Sequence, residues 1–80
     1  MTDDQRKIFV QSGTFDEANH YAARNGIAHH QWSYLDKPDR IRGVRPDDAV
    51  VVKTGHYYRN KFEREIDAVV RCRRIEVMHD

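Results

Sequence analysis

The sequence predicts an α/β fold: a four-stranded parallel sheet in spatial order 2-1-3-4, with two helices on opposite faces. Three observations lead there. Ala49-Val50-Val51-Val52 is an apolar run without polar alternation, as expected of a strand covered on both faces at the centre of a parallel sheet. Two stretches of helical periodicity, opening near Thr14 and Asn60, each stand between β-prone runs. Strands alternating with helices imply parallel pairing through right-handed crossovers. Finally, Ile8-Phe9-Val10 and the valine run are the most apolar of the β-prone segments, which puts the first and third strands in the middle.

The first strand, residues 7–11, stops at the turn signal Ser12-Gly13. Thr14-Phe15-Asp16-Glu17 then fits a capping box, in which the Thr hydroxyl and the Glu carboxylate each satisfy an orphan backbone donor. Phe15, Ala18 and Ala22 follow at helical spacing with Tyr21 beside them, a narrow stripe suited to packing on a sheet. Asn25-Gly26 ends this helix, Gly26 supplying a left-handed residue and Ile27 the hydrophobic contact after it.

Residues 29–35, His-His-Gln-Trp-Ser-Tyr-Leu, alternate as a half-exposed edge strand, with Trp32 and Tyr34 on one face. Residues 36–42 read as a short helical turn with Pro38 in its first turn, ended by Gly43. After Pro46-Asp47-Asp48 the central strand runs from Ala49 to Thr54. Asn60-Lys61-Phe62-Glu63 is a second capping pattern with Asn60 as the cap. Phe62, Ile66, Val69 and Val70 then give the strongest amphipathic signal in the chain. Lys61, Glu63, Arg64, Asp67 and Arg71 form its solvated face. Arg74-Ile75-Glu76-Val77-Met78 alternates as a short, charged strand, suited to a protected sheet edge.

Eighty residues fit one domain, with residues 1–6 as a flexible lead-in. A chain of this length buries only about 60–65% of its unfolded surface. Fourteen basic residues against thirteen acidic ones leave a net charge of +1, too balanced to announce a nucleic-acid or membrane partner. A single cysteine, Cys72, excludes an intramolecular disulfide and multi-cysteine zinc sites, and suggests a cytoplasmic protein in which the thiol packs at the end of the second helix. No apolar run is long enough to span a membrane, and the N-terminus lacks the apolar stretch of a secretory signal.

Order 2-1-3-4 is the flavodoxin-like half of a doubly wound, Rossmann-like sheet, in which ligands bind beyond the carboxyl ends of the strands at the switch point. Here that point lies between the first and third strands. It brings Gly13 and Thr14 towards Thr54, Gly55, His56, Tyr57 and Arg59, the candidate ligand-binding residues. A capped helix N-terminus suits a phosphate or carboxylate, Arg59 adds a full charge, and the tyrosines offer flat surfaces. The bland alternative is that Tyr57 and Tyr58 simply cover the sheet end.

No G-x-G-x-x-G, P-loop or H-E-x-x-H motif is present, so no catalytic residue, metal or cofactor is assigned. Adjacent His29 and His30 point to opposite faces if they lie in a strand. His56 is the one acid–base candidate among the five histidines, with no partner acid in view. The expectation is a binding protein for a nucleotide-like or phosphate-bearing molecule, which it does not hydrolyse. The alternative is an interaction module that binds a host protein or self-associates through Trp32, Tyr34, Tyr58 and Arg42, residue types enriched at interface hot spots.

Residues 40–52, Arg-Ile-Arg-Gly-Val-Arg-Pro-Asp-Asp-Ala-Val-Val-Val, are similar to the Walker B strand region of phage terminase and helicase-like ATPases. Lys53-Thr54 stands where those proteins carry their acidic pair, so magnesium binding and ATP hydrolysis do not carry over. The whole layout resembles small Rossmann-like proteins of unknown role from bacteriophages of actinobacteria, through Gln31-Trp32-Ser33-Tyr34-Leu35, Asp39-Arg40-Ile41-Arg42-Gly43 and the valine-rich strand. That resemblance implies a phage origin and a host-directed role, and no catalytic residues.

Overall fold

In the computed structural model, which describes residues 6–80, all five positions of β3 (Ala49–Lys53) are buried. Burial of each valine there contributes roughly 1.5–3 kcal/mol, so a run without polar positions belongs at the sheet centre. β3 pairs in parallel with β1 (Lys7–Gln11), from Lys7 opposite Ala49 to Gln11 opposite Lys53. On its other side it pairs with β4 (Glu76–His79), from Val50 opposite Glu76 to Lys53 opposite His79. β1 in turn holds β2 (Trp32–Tyr34), giving the parallel order β2-β1-β3-β4 that the sequence predicts. Of the lead-in expected at residues 1–6, only Arg6 lies among the described residues, where it pairs with Glu76 at 2.8 Å.

Strand alternation divides the core. Phe9 and Val51 point to one face and meet Ile66 and Val70 of α2 (Glu63–Arg73), together with Leu35 and Ile41 from the β2–β3 connection. Val10 points to the other face and meets Ala18 and Ala22 of α1 (Phe15–Arg24) and Trp32. The helices therefore lie on opposite faces, as expected. The amphipathic stripe of α2 holds in full, with Phe62 and Val69 packed beside its buried members. The stripe of α1 holds for its alanines, whereas Phe15 is 55% exposed and lies against Trp32 and Tyr34 at the sheet edge.

Both helix ends of α1 follow the sequence. The Thr14 hydroxyl accepts from the Glu17 N–H at 3.2 Å. At the other end Ile27 N–H donates to Ala22 C=O and Gly26 N–H to Ala23 C=O, with Gly26 at φ +68°, a Schellman arrangement. α2 departs from expectation at both ends. It begins at Glu63, and Asn60 does not cap it by the box pattern. Instead Asn60 Oδ1 accepts from Phe62 N–H at 2.8 Å while its Nδ2 donates to Leu35 C=O at 3.3 Å. Arg74 takes the left-handed conformation (φ 59°) at the carboxyl end, so it belongs to the helix stop and β4 starts only at Glu76.

Other expectations are corrected locally. His29–Gln31 is a 3-10 turn and β2 is confined to Trp32–Tyr34, because the Gln31 side chain folds back to accept from Ala28 N–H at 3.1 Å. The opposite-face argument for His29 and His30 therefore falls away. β3 ends at Lys53, one residue earlier than expected. Cys72 is exposed rather than packed. Asp67 is not a plain solvated residue of α2, since Lys53 reaches it at 3.3 Å. Among the described residues no helix is long and apolar enough to cross a membrane.

Candidate functional site

The turns that follow β1 and β3 meet, as the topology requires. They are so close that a Cβ built on Gly13 would stand 2.7 Å from the His56 carbonyl oxygen. Gly55 sits at φ +58°, and a Cβ there would lie 2.9 Å from Glu17 Oε1. What fills the junction is a side chain of the protein. Glu17, in the first turn of α1, accepts from Gly13 N–H at 2.9 Å and from His56 N–H at 3.1 Å through Oε1. Its Oε2 lies 2.6 Å from His56 Nδ1. The capping-box glutamate thus reaches one residue beyond the N-cap and ties two loops 39 residues apart in the chain.

The hydrogen bond from the His56 side chain is the largest cause holding the Glu17 carboxyl below its ordinary value of 4.5; burial opposes it, and the two backbone donors each add a smaller lowering. An ionised carboxylate only accepts, so Nδ1 is the donor of this hydrogen bond. This is the partner acid that sequence reading did not find for His56. Among the described residues, the serine and threonine hydroxyls nearest the pair are already engaged. The Ser12 hydroxyl donates to Thr14 C=O at 2.6 Å, the Thr14 hydroxyl is the cap of α1, and the Thr54 hydroxyl donates to Asp80 at 2.9 Å. Each of these three hydroxyls already has structural work.

The remaining candidates divide. Thr54 is buried, 6% exposed, so its side chain supports the sheet end. Tyr57 lies edge-on to Tyr58 and His79, with the Lys53 ammonium 5.2 Å from its ring centroid. Lys53 itself is 9% exposed and answered by Asp67, whose carboxyl is held below its ordinary value chiefly by Arg71 and also by Lys53. Tyr57 is therefore half-buried against the sheet end, whereas Tyr58, which the bland alternative also put there, is 58% exposed. Of the candidate interface residues, Trp32 is buried, Tyr34 half-buried, Tyr58 exposed, and Arg42 exposed and paired with Asp39 at 3.3 Å.

Beside the junction lies an open groove of about 550 Å³, lined by Gly13 and Tyr34 on one side and Arg59, Asn60, Lys61 and Phe62 on the other. Asp36 and Lys37 complete its wall. Asp36 is paired with Arg40 at 3.0 Å, whereas Lys37, Arg59 and Lys61 are exposed and make no ion pair among the described residues. Burial pushes the Tyr34 phenol above its ordinary value, with Asp36 and Glu17 adding to the rise, so it is a neutral donor at the groove wall. From the expected ligand set, only Gly13 and Arg59 reach this groove.

Sequence reasoning missed Glu17, Lys37 and Lys61 as residues of the sheet end, and placed Gln11 there without its burial. The capping pattern did signal where Glu17 would be, but not that it would reach across. Gln11 is fully buried, and neither its amide nitrogen nor its amide oxygen has a hydrogen-bond partner among the described residues. No group of three or more His, Cys, Asp or Glu that could hold a metal ion occurs among those residues. No protein-family model matches the chain, and no characterised protein or solved structure matches it either.

Proposed function

We propose that this domain binds a phosphate-bearing small molecule of nucleotide type in the groove between Tyr34 and Phe62, and does not hydrolyse it. The observation that carries the reading is the trio of Lys37, Arg59 and Lys61 around one concavity whose only acid, Asp36, is already neutralised by Arg40. Unpaired cations beside aromatic walls are the chemistry that holds a phosphate and a flat ring together. The ligand lies away from the Gly55–His56 turn, because Glu17 already takes the N–H groups that an anion would need there.

Non-hydrolysis follows from the side chains available: His56 has an acid partner but no nucleophile beside it, and Lys53 and Thr54 stand where an acidic metal-binding pair would be required. Exposed Cys72, unpaired with any other cysteine, supports a reducing, cytoplasmic setting. The phage origin and host-directed role implied by the resemblance belong to this reading as well.

Differential scanning with a panel of nucleotides and inorganic phosphate tests it. Ligand at a hundredfold excess over its dissociation constant stabilises by about 2.7 kcal/mol, a shift of many degrees for a small domain. No shift with any member of the panel overturns the reading. A second reading, a protein-interaction module, is favoured by the exposed Phe15 and Tyr58 and by Met78 on the β4 edge. Sedimentation checks self-association, and a strictly monomeric protein at high concentration rejects that form of it.

A further inference from the structure

The near-neutral charge of the chain conceals an asymmetry. The groove of about 550 Å³ shares Tyr34 with a second concavity of about 330 Å³ along the β2 edge. That one shares Ser33 and Arg40 with a third, of about 430 Å³, which is also walled by Lys7 and Arg45. Together the three form one path around the free edge of the sheet. Lys7, Lys37, Arg40, Arg45, Arg59 and Lys61 line it against Asp36 and Asp48 alone, an excess of four positive charges. The whole chain has an excess of one, so the rest of the molecule is net acidic by three.

Aromatic groups occupy the middle of this basic path. Phe15 is packed on Trp32, with ring centroids 6.0 Å apart and planes at 25°, and edge-on to Tyr34 at 5.7 Å. Its ring is 55% exposed at the second concavity. A large aromatic on the first turn of a helix, held by two other rings and still open on one side, is a stacking platform rather than a core residue. Alternating cations and an aromatic platform fit a ligand that alternates phosphates and flat bases.

We infer that the path binds a short single-stranded oligonucleotide, with its phosphates at the Lys37–Arg59–Lys61 groove and at Arg40, Arg45 and Lys7, and a base stacked on Phe15 between them. Each concavity is of the size of about one nucleotide, in the range usual for small-ligand sites. The path therefore spans about three nucleotides, just below the low end of site sizes for small single-strand binding folds. A duplex does not satisfy it, because its bases are already stacked on one another. This inference rests on the reading of the first groove as a phosphate site and extends it to a polymer.

The test is fluorescence anisotropy with labelled eight-nucleotide single strands of DNA and of RNA, beside competition by adenosine monophosphate. The octamer is expected to bind at least tenfold more tightly than the mononucleotide. The logarithm of its affinity should fall with the logarithm of salt concentration at a slope of about −2, for three phosphates released at roughly −0.7 each. Phe15→Ala should weaken the octamer roughly five- to hundredfold, the loss of one base stack, and leave the mononucleotide unchanged. Lys37→Glu, at an exposed residue without a structural partner, should weaken both. Equal affinity for octamer and mononucleotide, equal affinity for a duplex, or binding indifferent to salt overturns the inference and leaves the small-molecule reading standing. Failure of both ligands to bind overturns the two together.

Discussion

Two neighbouring regions at the carboxyl end of one sheet treat their polar groups in opposite ways. At the junction of the Gly13 and Gly55 turns, the Glu17 carboxylate takes two backbone N–H groups and the His56 ring. One strand away, Lys37, Arg59 and Lys61 line an open groove and make no ion pair among the described residues. The first region is built so that the fold needs it. The second is built so that the fold does not. Topology alone marks the whole sheet end as a place for ligands, but the division of labour within it is set by which donors the chain has already used.

The comparison breaks most readily at Gly13. Gly13→Ala pushes a methyl group into the His56 carbonyl, a backbone atom that cannot swing aside. Overpacking of this kind costs about 1–3 kcal/mol, and each kcal/mol lowers the melting temperature by roughly 4–8 °C in a domain of this size. Gly43→Ala is the control: an added Cβ there meets nothing within 4 Å, so thermal unfolding should change little. If the two variants melt alike, the junction is not the structural lock described above.

Gln11 sharpens the comparison with the opposite sign. It ends the strand from which both regions hang, shares a face with Lys53, and is wholly buried with both amide atoms unpartnered. Burial of an unsatisfied polar group costs about 1–3 kcal/mol, and methionine has a similar length without that requirement. Gln11→Met is therefore expected to raise the denaturation midpoint, read by urea titration, by the equivalent of about 1 kcal/mol. A lower midpoint would mean that the amide has a partner, such as a buried water.

Acid titration separates the junction from the groove by pH. The Glu17 carboxyl is held below its ordinary value in the folded protein. The stability it contributes is therefore fully present above that ordinary value and is lost as pH falls through the folded one. Stability measured between neutral pH and pH 3 should drop across this acid window. Glu17→Gln should be less stable at neutral pH and show a shallower acid limb. Asp67 is depressed in the same direction, so the slope remaining in Glu17→Gln should become shallower still on adding Asp67→Asn. An unchanged acid limb in Glu17→Gln would dismiss the carboxylate as the tie between the turns.

The parts of the fold that sequence reveals are those decided locally. A run of valines, the Thr14 cap and an Asn-Gly stop each satisfy or bury their own neighbourhood, and β3 formed to within one residue while the Thr14 cap and the carboxyl end of α1 formed as read. Pairings across the sheet end were not legible, because nothing near Glu17 in the sequence points to His56, and nothing near Asp67 points to Lys53. Asn60 shows the same limit: its cap pattern was present, but the Leu35 carbonyl competed for the side chain. Arg74 stops α2 in a left-handed conformation with no glycine to announce it. Of the candidate ligand residues, Gly13 and Arg59 line the groove while Thr54 and Tyr57 pack at the sheet end, a division that needs the side-chain partners and not the local pattern.

The smallest stability change is expected at Lys37, and for that reason it is the most informative about the groove. Lys37 is exposed, has no ion pair among the described residues, and stands at the non-helical lead into the Pro38–Arg40 turn, where it supplies no side-chain cap. Substitution of such a surface residue usually shifts stability by less than about 0.5 kcal/mol. Lys61 differs slightly, because its ammonium lies 5.5 Å from the Phe62 ring centroid, a contact worth about 0.5–1 kcal/mol at an exposed site. Lys37→Ala should therefore melt with the unaltered protein and lose phosphate-ligand affinity. Lys61→Ala should lose affinity along with a small part of its stability. Gly13→Ala reverses the balance, with stability falling first. If Lys37→Ala instead destabilised the fold as Gly13→Ala does, the groove would be part of the scaffold and the contrast between the two regions would collapse.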